Sequence, residues 1–85
     1  MDAEQTLKHG ADFPYDATDA WWNDADAPPP PPTDWAHEAA RGVLSDLRDR
    51  REIKQGFEGL DENARAEVVE SLAEIIRVAA KKLPL

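Results

Sequence analysis

Cysteine is absent from the 85 residues, which excludes disulfides and thiolate metal sites and leaves no sulfur nucleophile. Basic residues are scarce: ten Lys and Arg stand against 18 Asp and Glu, for a formal net charge of −8. Such a balance repels phosphate backbones, so direct binding to duplex nucleic acid is not expected. It suits a basic protein surface, or it serves solubility alone. No apolar run approaches the roughly 20 residues of a membrane span. Met1 to Gly10 shows no basic-then-apolar leader, so a cytoplasmic protein is expected.

Other chemistry is missing as well. Gly10, Gly42, Gly56 and Gly59 are too scattered to form a phosphate-cradling loop. His9 and His37 each lack a second ligand at metal spacing. Asp24-Ala25-Asp26 opens like a calcium loop, but Pro28 follows where a glycine turn and more ligands belong. Ser45 and Ser71 have no neighbouring base to activate them. The expectation is a protein with no catalytic residues, metal or cofactor, and not an enzyme.

What is present divides into two unlike halves. Residues 1–34 carry eight acids against Lys8 alone, a net of −7. From Trp35 onward ten acids meet nine bases, a net of −1. Between them run five prolines, Pro28 to Pro32, which lock φ and favour a polyproline II rod of roughly 15 Å. The run reads as a stiff spacer; an SH3-type ligand is the alternative, although its flanks are Asp26 and Asp34 where such ligands carry a base. The organisation expected is an acidic, aromatic N-terminal arm (1–27), a polyproline spacer and helix cap (28–34), and a helical hairpin (35–85).

The fold class expected is all-α, with two longer helices in the hairpin. Thr33 and Asp34 offer N-caps, and Glu38 sits in the first turn where the dipole favours an acid. Ala36, Ala40, Val43, Leu44 and Leu47 then recur at helical spacing. A break is expected over Lys54 to Leu60, bracketed by Gly56 and Gly59. Asp61 caps a second helix whose apolar face is Val68, Val69, Leu72, Ile75, Ile76, Ala79 and Leu83. Lys81 and Lys82 close its last turn and Pro84 ends it. Val43, Leu44, Leu47, Val68, Leu72, Ile75, Ile76 and Ala79 are the expected core or oligomer face.

A hairpin with one apolar stripe per helix cannot cover itself, and a chain of this size has a thin stability margin. The missing layer is the N-terminal arm, a second copy of the hairpin (a homo-oligomer, a dimer favoured) or a partner. The arm offers short helices over Asp2 to His9, ended by Gly10, and over Asp16 to Asn23, with Phe13-Pro14-Tyr15 extended between them. It is dense in aromatics. One reading folds Phe13, Tyr15, Trp21 and Trp22 back as the layer. The other makes them, with Asp16, Asp19, Asp24 and Asp26, a hook for a basic partner protein. Trp21 and Trp22 are adjacent and point about 100° apart on a helix, so one can pack while the other remains available.

One basic cluster remains: Arg48, Arg50, Arg51 and Lys54, next to Phe57. It is either a helix end whose cations complement the dipole or an anion pocket, where Arg forks grip phosphate and Phe57 or Trp35 stacks on a base.

Trp35-Ala36, Asp46-Leu47 with Arg50-Arg51 and Ile53, then Asp61, Glu67 and Ile75-Ile76-Arg77 make residues 35–77 resemble small accessory proteins encoded by phages and prophages. The resemblance covers about half the chain and leaves the arm uncovered. The resemblance implies a virus-encoded accessory protein acting in the host cytoplasm, a class that includes inhibitors of bacterial defence. The expected function is therefore a non-enzymatic protein-binding protein that occludes a basic host surface. An anti-CRISPR-like DNA mimic is one form of it. The alternatives are an oligomeric sponge for a nucleotide signal, built on the basic cluster, and an acidic antitoxin.

Overall fold

The computed structural model describes residues 2–83, and among them it holds five helices and no strand. The chain is all-α. Helix α1 (Ala3–Asp12) opens on a capping box, in which Asp2 accepts from the Gln5 N–H and Gln5 returns the bond to Asp2. It stops at Phe13 because Pro14 pushes its predecessor out of the α region. Thr18 caps the single turn α2 (Asp19–Trp22). Helices α3 (Trp35–Arg48), α4 (Arg51–Glu58) and α5 (Glu62–Ala80) complete the chain.

Two expected boundaries are corrected. Gly10 does not end α1; it lies inside the helix and is buried against α3. A β-carbon there would stand 2.5 Å from the Arg41 carbonyl oxygen, so glycine permits the two backbones to touch. Gly42 does the same from the other side, with the Leu7 side chain 3.1 Å from where its β-carbon would be. The break expected over Lys54 to Leu60 is largely helix α4, and the chain turns instead at Asp49–Arg50 and at Gly59–Asp61. The second half thus holds three helices. Pro84, expected to end the last of them, lies outside the described residues.

Helix α3 is the middle layer, with α1 on one side and α5 on the other. Asp34 at the start of α3 pairs with Arg77 near the end of α5, so these two helices run antiparallel. Between them sit Ala36, Ala40 and Leu44 of α3 and Val69 and Ala73 of α5, all fully buried. Tyr15 from the arm joins this core, and Phe57, Leu60, Val68, Leu72 and Ile76 pack on its edge. Pro14 and Ala17 are buried as well.

The expected face is therefore partly displaced. Leu44 is core, and Leu47, Val68, Leu72 and Ile76 are half-buried. Val43, Ile75 and Ala79 are exposed. On α5 the reason is angular, since Ile75 and Ala79 stand roughly 160° and 120° round the helix from Ala73 and turn away from α3. Val43 borders the groove between α1 and α3.

The proline run lies against the protein. Having no N–H groups and no helical partners, its carbonyls accept bonds: Pro28 from the Trp21 indole at 2.9 Å, Pro30 from Arg41 at 2.8 Å.

Gly10→Ala should lower stability by about 1–3 kcal/mol, because α1 and α3 must separate to admit the methyl group. Gly56→Ala, whose β-carbon meets nothing within 4 Å in α4, should raise it by about 0.5–1 kcal/mol. Urea unfolding of both variants beside the parent checks the contrast.

Candidate functional site

Two polar constellations stand out, and they differ in kind. The first is internal. Asp16 accepts from Arg41 Nε at 2.8 Å and faces His37 Nε2 at 2.7 Å. The Thr33 N–H donates to His37 Nδ1 at 2.9 Å, so Nδ1 is the acceptor and Nε2 carries the hydrogen directed at Asp16. All three residues are buried or nearly so. Burial pushes the Asp16 carboxyl up, but hydrogen bonds from Arg41 and His37 outweigh it and hold the group below the usual carboxylate range. With every side-chain donor engaged, this cluster binds the arm to α3 and offers nothing to a ligand.

The second constellation opens to solvent. A cleft of about 220 Å³ is lined by Tyr15, Asp19, Trp22, Arg48, Phe57, Glu58 and Arg65. Tyr15 forms part of its lining; its hydroxyl donates to the Phe57 carbonyl, and its ring meets that of Phe57 edge-on at 5.9 Å. Burial raises the Tyr15 phenol above its ordinary value against the opposing charges of Arg48 and Arg65. Arg48 lies over the Tyr15 ring, 4.9 Å from its centroid.

Two ion pairs flank the cleft. Arg65 donates to the carbonyls of Tyr15, Leu60 and Ala17 and to Asp19 at 2.7 Å, which uses all three of its nitrogens. Arg48 reaches Glu58 at 3.3 Å, and its Nε is buried without an acceptor. The exposures are unequal. The side chains of Arg65 and Arg48 are 13% and 22% exposed, those of Asp19 and Glu58 62% and 45%. The cations are inside and the anions outside, so the face shown to solvent is acidic over an aromatic floor.

The expected residues are thus redistributed. Asp19 and Trp22 line the cleft, Tyr15 is buried at its floor, and Asp16 belongs to the interior. Trp21 is half-buried, tied to Pro28 and edge-on to Trp22 at 4.9 Å. Phe13 is exposed and rests near His9, whose Nδ1 lies 2.7 Å from the Ser45 hydroxyl, so the fold brings Ser45 the neighbouring base that its sequence surroundings lack. Asp24 and Asp26 lie exposed in the turn after α2. Of the basic cluster, Arg48 and Phe57 meet in the cleft. Arg50 turns to Asp46, and Arg48 also lines a second depression with Arg51 and Lys54, beside Asp49 and Glu58. Three of the four cations thus share that depression, and Phe57 is not part of its lining.

Arg65 and Glu58 were not among the expected site residues. Arg65 left one faint signal: it sits in the first turns of α5, where the helix dipole disfavours a cation, which points to a partner outside the helix. Among the described residues no three His, Cys, Asp or Glu side chains converge as a metal site, and no helix is long and apolar enough to cross a membrane. No family model, curated protein or solved structure matches the chain.

Asp34, which caps α3 through the His37 N–H, is held down to about 2, first by the Arg77 guanidinium and then by that N–H. Because the carboxyls of Asp34 and Asp16 are both lowered by folding, the unfolded chain binds more protons in acid. Their contribution is complete above the ordinary carboxylate range and is lost as pH falls from about 4 toward 2. Thermal unfolding followed between pH 7 and pH 2 should show a flat region and then a decline beginning near pH 4. Asp16→Asn should already be destabilised at pH 7 by about 3–5 kcal/mol, since it leaves Arg41 buried without a counter-ion.

Proposed function

We propose that the chain is a non-enzymatic binding protein whose cleft receives an arginine or lysine side chain from a basic protein partner. The observation that carries this reading is the arrangement of Asp19 and Glu58: outward carboxylates above Trp22, Tyr15 and Phe57. An entering guanidinium stacks on an indole or phenyl face and donates to a carboxylate at the rim. The net charge of −8 speeds the encounter, and Asp24 and Asp26 extend the acidic margin.

In this reading the three C-terminal helices are the scaffold, the proline run fixes the start of α3, and the acidic arm supplies half of the cleft. The likeness of residues 35–77 to phage-encoded accessory proteins makes a host protein the natural target, inhibited by occlusion of its basic surface. A nucleotide sponge has less support, because Arg65 spends its donors on carbonyls and Asp19, and the depression that Arg48 shares with Arg51 and Lys54 also carries Asp49 and Glu58 and lacks Phe57.

Titration of the full chain with an arginine-rich peptide, followed by tryptophan fluorescence and calorimetry, tests the proposal. Binding should weaken with salt. Trp22→Ala, or Asp19→Asn with Glu58→Gln, should reduce affinity by about tenfold or more, with circular dichroism unchanged. Stabilisation by cyclic nucleotides in place of the peptide, or peptide affinity indifferent to these substitutions, overturns it.

A further inference from the structure

Helix α5 has a second face that nothing in the fold covers. Val69, Leu72, Ala73 and Ile76 turn toward α3. On the opposite side Ser71, Ile75, Val78 and Lys82 recur at spacings of four, three and four, the repeat of a helix–helix seam. Ile75 is 64% exposed and Val78 47%, the most open branched aliphatic side chains of the molecule's described helices. With Glu74, Ala79 and these four residues, the surface forms a shallow apolar groove.

Charge says what fits there. Upstream on this helix Glu70 and Glu74 share Arg77 with Asp34, three carboxylates around one guanidinium, which leaves a local acidic surplus. Downstream, Lys81 and Lys82 make no ion pair among the described residues. A helix that is acidic first and basic last complements its own antiparallel copy. With Ile75 of one copy on Val78 of the other, Ser71 stands opposite Lys82 and Glu74 opposite Lys81. The two-fold axis makes each contact occur twice. A parallel pair instead stacks Lys82 on Lys82 and gains no ion pair.

We infer that the outer face of α5 is a self-association surface on which two copies of this chain pack antiparallel around Ile75 and Val78. This surface is separate from the cleft, so a dimer displays two clefts.

Sedimentation equilibrium of the full chain over a wide concentration range is the test. The expected result is a reversible rise in mass toward twice that of the chain. Ile75→Asp combined with Val78→Asp should remain monomeric with unchanged helicity. Glu74→Lys or Lys81→Glu alone should each weaken the dimer by about fivefold, two exposed ion pairs being lost by symmetry. The double exchange Glu74→Lys with Lys81→Glu should restore it, since the charges merely trade places. A chain monomeric up to about 1 mM, a dimer untouched by the two aspartates, or a double exchange that fails to restore association overturns the inference.

Discussion

One carboxylate connects the parts of this protein. Asp16 reaches from the acidic arm into α3, where Arg41 and His37 receive it. The same Arg41 donates to the Pro30 carbonyl, so a single guanidinium joins the arm, the proline run and the central helix. Burying such a pair is costly, and it contributes because each Arg41 nitrogen and both Asp16 oxygens have a partner. In return it sets the position of Tyr15, one residue earlier, whose ring fills the gap between α3, α4 and α5. Without that anchor the arm's negative charge would have little reason to approach a half that is itself slightly acidic.

The anchor also explains how a chain so small closes a core. Its buried set is dominated by alanine, with Leu44, Val69 and Tyr15 as the larger members. Alanine contributes little burial per residue but lets helices approach closely, and Gly10 and Gly42 carry that approach to backbone contact. Specific polar links then supply what a bulky core would: Asp16–Arg41, Arg65 to the carbonyls of Tyr15 and Ala17, and Arg77 to Asp34. Each joins segments distant in sequence. The cleft is a product of the same economy, since Arg65 holds the arm from behind while the Asp19 side chain stays largely exposed.

Much of the helical content was legible because helix signals are local. Asp34 and Asp61 act as caps, and the apolar spacing of α5 marks it as a helix. The misreadings share one cause. Gly10 and Gly56 look like helix ends in a linear reading, but one is a contact point and the other a tolerated interior residue. Val43, Ile75 and Ala79, expected on a core or oligomer face, are exposed in the single chain, because which stripe is buried depends on what packs against it.

From its residues alone, then, this protein is acidic, helical, free of cysteine and divided by prolines into unequal halves. Those properties follow from composition and from interactions spanning four residues or fewer. The tertiary structure decided that Asp16 is an internal anchor while Asp19 belongs to a rim. It also decided that Arg48 joins Phe57 in the cleft and Arg51 and Lys54 beside it, while Arg50 turns away, and that Arg65 matters at all. Identical side chains acquire opposite roles through burial and through neighbours dozens of residues away, and neither is written in local spacing.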